Sequence, residues 1–91
     1  VHRALAIDAA RRADAAARAV LAERVAALSP REREVMLMVA AGRLNKQIAA
    51  HLGLSEITVK AHRAQVMRKM QADTLPDLVR IVDRLAEDRR S

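Results

Sequence analysis

The chain has 91 residues, no cysteine, no aromatic residue and a formal net charge of +6 from 17 basic and 11 acidic side chains. That length bounds one small domain with at most an appendage, and the missing cysteines exclude a disulfide framework and any thiolate zinc site. No apolar run approaches the roughly 20 residues of a membrane-spanning helix and no signal peptide is evident, so a cytoplasmic location is expected, with no membrane partner.

A core restricted to Leu, Val, Ile, Met and Ala suits close helix packing. The lack of aromatic rings also removes the stacking platform used to grip single-stranded nucleic acid. Val1 to Ala27 contains neither Gly nor Pro and is dominated by Ala and Arg, which predicts one long helix. Its bulky apolar residues lie at the two ends: Val1, Leu5 and Ile7, then Val20, Leu21, Val25 and Leu28. Only alanines could line an interface between them, too little for a self-sufficient coiled coil. Residues 1–27 therefore read as a linker helix whose final stripe, Leu21–Val25–Leu28, docks on a domain spanning 28–88. Dimerisation through this helix is the alternative. Arg11 and Arg12 are expected to face solvent.

Punctuation then becomes dense. Ser29, Pro30 and Glu32 form a capping box with proline at the first helical position, and Val35, Leu37, Met38, Val39 and Ala40 supply the buried side up to a stop at Gly42. Asn45 is predicted to cap the next helix, which turns Ile48, Ala49 and Leu52 inward and ends at Gly53. Ser55 caps a helix from Glu56 to Met70. Thr74 opens the last, with Asp77 at its third position. Pro76 lies in the first turn, where its missing N–H does no harm, and Leu78, Val79, Ile81, Val82 and Leu85 form the apolar side. The predicted fold is all-α: a four-helix unit behind a long N-terminal helix.

Asn45–Leu52, the turn at Gly53 and Leu54, and Glu56–Met70 have the proportions of a helix-turn-helix. Charge concentrates there. Arg43, Lys46, Lys60, Arg63, Arg68 and Lys69 against Glu56 give +5 of the chain's +6, which points to a polyanionic partner. Rotation of about 100° per residue gathers Val59, Val66 and Met70 on one side of the second helix. Ile57, Ala61, Ala64 and Arg68 fall opposite, flanked by Thr58, Lys60 and Gln65. Small side chains bordered by long polar ones let a helix backbone approach a groove floor closely. On this reading Lys60 meets a guanine edge, Gln65 an adenine, and Ala61 and Ala64 thymine methyls. Neutralising about six phosphates would give log affinity a slope of about −5 against log salt. Each bidentate contact discriminates by only about 1–3 kcal/mol, so two half-sites read by a dimer would discriminate better than one protomer.

The segment "LSPREREVMLMVAAGRLNKQIAAHLGLSEITVKAHRAQVMRKM", Leu28 to Met70, resembles the LuxR-type C-terminal DNA-binding domain, in particular the FixJ subgroup of two-component response regulators. The similarity continues through "LPDLVRIVDRL" and covers about two-thirds of the chain. "PRERE", "NKQIA", "LGLS" and "TVKAHR" in this order and spacing carry it. The resemblance implies a third domain helix in the major groove of double-stranded DNA, with Lys60, Ala61 and Ala64 on bases. It implies Thr58 and His62 on the DNA backbone and Asn45 and Lys46 facing phosphate. Ser55, Arg63 and Arg68 complete the candidate phosphate set, although the phase of Arg63 points toward the packed side and allows an intramolecular partner. The same resemblance implies a homodimer through the last helix, with Pro76, Val79, Arg80 and Asp83 as interface candidates, and RNA polymerase as a further partner. It also implies a phosphorylatable receiver domain upstream. No receiver is visible here, and "VHRALAIDAARR" reads as the tail of a receiver's last helix, so the chain is expected to be an excised output half. Three positions depart from the family pattern: Leu44 replaces a small polar residue, Gln71 a frequent glycine, and Ala64 a polar or basic residue.

A sigma-factor-like promoter-reading module shares the two-helix unit, but "TVKAH" and the trailing helix argue against it. A helical interaction module could offer its basic face to an acidic protein. His51 is expected on the outer side of its helix and His62 in a surface hydrogen bond, neither with a second ligand set for a metal. Met36, Met38, Met67 and Met70 read as core fillers. Ser29, Ser55 and Thr74 are explained as caps and no catalytic arrangement is suggested, so neither enzymatic activity nor a cofactor is expected.

Overall fold

The computed structural model describes the backbone of residues 2–90 and the side chains of residues 12–87. The apolar residues Val1, Leu5 and Ile7, and Arg11, therefore lie outside the described side chains; Arg12 is exposed. The helices run in the order α1 (His2–Ala26), α2 (Pro30–Ala40), α3 (Asn45–Leu52), α4 (Glu56–Lys69) and α5 (Leu75–Arg90), with no strand among the described residues. The molecule extends 58 Å along its long axis and about 20 Å across. Most of that length is α1, whose 25 residues at 1.5 Å each span about 37 Å.

Among the described residues, α1 is anchored at its C-terminal end. Leu21 and the following Leu28 are buried, and Val25 packs against the core, as the apolar stripe predicted. An exposed ion pair between Asp14 and Arg84 at 3.6 Å adds a loose tie to α5.

The core fills the space between α2, α3, α4 and α5. Val35, Met36, Val39, Ile48, Val59, Val66, Met70 and Leu78 are all at most 2 % exposed. Each such side chain contributes about 1.5–3 kcal/mol on leaving water. All four methionines belong to this core or pack on it. From α5, Ile81, Val82 and Leu85 cover the core, whereas Val79 is half-buried outside it.

The capping box of α2 forms as predicted: Glu32 N donates to Ser29 Oγ at 3.1 Å and Ser29 N to Glu32 Oε1 at 2.8 Å. Its buried stripe differs from the expected one. Val35, Met36 and Val39 are inside, Met38 and Ala40 are half-buried, and Leu37 is 52 % exposed on an open apolar groove with Val25, Val82 and Leu85. Residues 35–41 are all apolar, so periodicity cannot choose a face there; contact with α4 and α5 chooses it.

A second difference concerns Asn45, which is the first helical residue of α3 rather than its cap. Leu44 occupies the cap position with extended backbone, and its N–H donates to Gln47 Oε1 at 2.9 Å. The Asn45 side chain is turned to α4 instead, where its Oδ1 accepts a bond from Arg63 Nη1 at 3.1 Å. The exit of α3 needs glycine for a backbone reason alone. Gly53 has φ 67, and a Cβ there would meet nothing within 4 Å, so only the left-handed dihedral selects against side chains.

Ser55 caps α4 by accepting from Thr58 N at 3.1 Å. Helix α4 ends at Lys69, with Met70 as its C-cap. Gln71 follows at φ 54, in the left-handed region where a glycine would sit without strain. Its Oε1 accepts a bond from Arg24 Nη2 at 3.1 Å, which ties the end of α4 to α1. Thr74 caps α5, accepting from Asp77 N at 3.3 Å.

Candidate nucleic-acid interface

Three side chains set the rotation of α4. Val59, Val66 and Met70 are 0–1 % exposed, and burying them forces the opposite side outward. Lys60, Ala61, Ala64, Gln65 and Arg68 are all exposed, with Ile57 80 % exposed among them. The sequence-predicted base-reading residues thus share one open face.

The predicted phosphate residues lie around its edge. Lys46 and Ser55 are exposed, while Asn45, Thr58, His62 and Arg63 are half-buried. Several already have intramolecular partners. Ser55 Oγ and Thr58 Oγ1 are 2.9 Å apart, Arg63 holds Asn45, and Arg68 Nη2 donates to Gln65 Oε1. The intramolecular partner allowed for Arg63 is thus Asn45, a bond that also locks α3 to α4.

One basic residue is not part of the open surface. Lys69, counted above among six cations, turns inward and donates to Glu32 Oε1 at 2.7 Å and to Ala27 O at 3.2 Å. The side chains of this pair are 29 % and 7 % exposed, respectively. The Lys69 ammonium, helped by the Ser29 N–H, holds the Glu32 carboxyl at about 2, below its ordinary 4.5. The cations left in the open are Arg43, Lys46, Lys60 and Arg68, with Arg63 half-buried. Sequence reasoning read Glu32 only as a capping residue and missed this bond. The one available signal was helical phase, which puts Lys69 beside Thr58 and His62 at the border of the packed side.

On α5, Pro76, Arg80 and Asp83 are exposed and Val79 half-buried, on one strip of the helix. Arg80 pairs loosely with Asp77 at 3.7 Å. Arg80 and Asp83 also border a polar groove shared with Asp14 and Arg18 of α1. His51 is exposed. Among the described residues no cluster of His, Asp or Glu side chains is placed to hold a metal ion, and no helix is long and apolar enough to cross a membrane.

A capped helix pair joined by a left-handed glycine, with the second helix presenting a basic, small-residue face, defines a helix-turn-helix DNA-binding domain. Residues 26–82 match the bacterial regulatory proteins of the luxR family, and the chain belongs to that family, whose members are DNA-binding regulators rather than enzymes. Nodulation protein W of Bradyrhizobium diazoefficiens is 59% identical over 58 residues, covering 64% of this chain and 26% of the relative. The response regulator protein TodT of Pseudomonas putida is 48% identical over 67 residues, covering 74% and 30% respectively. Among solved structures, the response regulator StyR superposes with a TM-score of 0.87 at 34% identity, covering 92% of this chain and 42% of StyR. Full-length FixJ from B. japonicum gives 0.69 at 47% identity, covering 88% and 42%. The chain thus spans less than half the length of each of these proteins.

Proposed function

We propose that this chain is the DNA-reading output unit of a two-component response regulator, controlling transcription by sequence-specific binding of duplex DNA with α4 in the major groove. The observation that carries the reading is the rotation of α4, with Val59, Val66 and Met70 inward and Lys60, Ala61, Ala64 and Gln65 outward. In this proposal Lys60 donates to a guanine edge, Gln65 serves adenine, and Ala61 and Ala64 allow close approach beside thymine methyls. Lys46, Asn45, Ser55, Thr58, His62, Arg63 and Arg68 hold phosphates. Arg63 and Asn45 act as a preformed unit, because their mutual bond fixes both before DNA arrives.

Residues 1–27 are the linker and 28–88 the DNA-binding domain, with a receiver upstream in a longer cytoplasmic chain. Two copies meet through Pro76, Val79, Arg80 and Asp83 of α5 to read two half-sites, and RNA polymerase is the downstream partner. With Lys69 committed to Glu32, about four exposed cations remain per protomer, for a salt slope of about −4 rather than −5.

The test is titration of duplexes selected from a random pool, against scrambled duplex, at several salt concentrations. Lys60→Ala is expected to relax base choice at one position of each half-site, and Lys46→Ala to weaken all duplexes about equally. A Lys60→Ala chain that discriminates as the parent does would refute the assigned face. A chain that prefers no sequence would refute the function.

A further inference from the structure

Ile57 is, at 80 % exposure, the most exposed large apolar side chain among the described residues. Of the other large apolar residues of α4, Val59 and Val66 are buried to 1 % or less and Met67 is half-buried against the core. Folding gives no reason for an isoleucine at this position. It is not a member of the buried core, and a β-branched side chain lowers helix propensity. Nor is it a stray surface residue on an idle face. Its helical phase lies between Ala64 and Ala61, close to Arg68, opposite the buried stripe. It stands in the first turn of α4, the end of a recognition helix that meets base edges.

We infer that Ile57 is a specificity-determining residue that reads the C5-methyl group of a thymine. The inference rests on the proposed DNA-binding function and extends its contact set by one residue. Thymine is the standard base that offers an apolar group in the major groove. An isoleucine suits it because a helical backbone holds its first torsion almost entirely in one rotamer, so little freedom remains to be lost on contact. Lys60, three residues on, lies about 4.5 Å further along the axis, so the two residues address neighbouring base pairs. A branched apolar group at the entry to the helix also excludes water beside Lys60 and Ala61.

The experiment uses the whole chain and the duplexes selected above, with each thymine replaced in turn by uracil, which removes only the methyl. The parent is expected to lose about fourfold in affinity at the position beside Ile57 in each half-site, separately from any thymine beside Ala61 or Ala64. Ile57→Ala should bind the thymine and uracil forms of that position equally, with an unchanged salt slope because no charge is removed. It should melt no lower than the parent, since the side chain is exposed and alanine is the better helix former. The assignment is overturned if Ile57→Ala keeps the parental thymine-to-uracil ratio at every position, or if the parent itself ignores uracil throughout. These results differ from failure of the DNA-binding reading, in which the parent selects no sequence.

Discussion

Helices α1 and α4 are held in opposite ways. Helix α1 is rich in alanine, and propensity favours it along its whole length, while among the described residues packing secures it at the end near Leu21 and Val25. Helix α4 contains Ile57, Thr58, Val59 and Val66, all β-branched and poorer helix formers. It is defined from outside, by the Ser55 cap, the Gly53 turn and three side chains driven into the core. The difference matches what each segment must supply. A linker needs length and stiffness, and tolerates rotation about its axis. A reading helix needs a fixed phase, because a turn of 100° would replace Lys60 and Ala61 by their neighbours, and only tertiary packing fixes phase.

That contrast can be broken hardest at Val66. Val66→Asp puts an unpaired carboxylate into the core and is expected to cost more than about 4 kcal/mol. A domain of this size has about 3–5 kcal/mol to lose. Circular dichroism should show the cooperative transition abolished, with residual helicity no greater than an isolated α1 could hold. Persistence of a parental transition would mean that α4 is not oriented by its core face.

The next largest effect is at the bond between α2 and the end of α4. Glu32→Gln is expected to cost about 3 kcal/mol, the low end for removing one partner of a buried ion pair. The parent should show the same loss in acid. The folded-state value of Glu32 is depressed to about 2 from 4.5, so the contribution is complete above about pH 5 and fades as pH falls toward 2. Denaturation curves of parent and variant should converge over that window, and an unchanged gap at pH 2 would remove Glu32 as the cause.

Leu21→Ala tests the other helix. It is expected to cost about 2 kcal/mol, at the lower end for a leucine at the margin of a core, and to act locally. Hydrogen exchange should quicken in α1 while the amides of α2 to α4 keep their protection. Equal loss everywhere would make α1 an integral part of the domain.

The smallest effect lies at Gln71, where the two helices touch. Gln71→Gly relieves the left-handed strain that Gln71→Ala retains, and both lose the bond from Arg24. The glycine variant should therefore be the more stable of the two by about 1 kcal/mol, measured by urea unfolding. The difference of the alanine variant from the parent, with the strain common to both, then reports the strength of the Arg24 tie.

Much of this arrangement was legible in the residues themselves. Ser29-Pro30-Arg31-Glu32, Ser55 and Thr74 marked helix starts because a short side-chain oxygen can satisfy an otherwise unpaired N–H nearby, and Gly53 marked a stop because of its dihedral. The spacing of Val59, Val66 and Met70 gave the phase of α4. Failures came where local signals were degenerate. Seven consecutive apolar residues from Val35 to Ala41 carry no period, so pattern alone puts Leu37 on the buried side, whereas it is 52 % exposed. Asn45 has good capping chemistry, but Arg63, 18 residues away, draws its side chain elsewhere. Lys69 looked like one more surface cation because its partner is 37 residues distant.

The sequence by itself determined the helices, the caps of α2, α4 and α5, and the family, because these depend on interactions within a few residues or on a linear pattern of motifs. The tertiary structure alone decided how the cations are placed: Lys69 is spent inside on Glu32, while Arg63, half-buried, is held in position by Asn45. Those pairings follow from distances between helices, and no linear spacing encodes them.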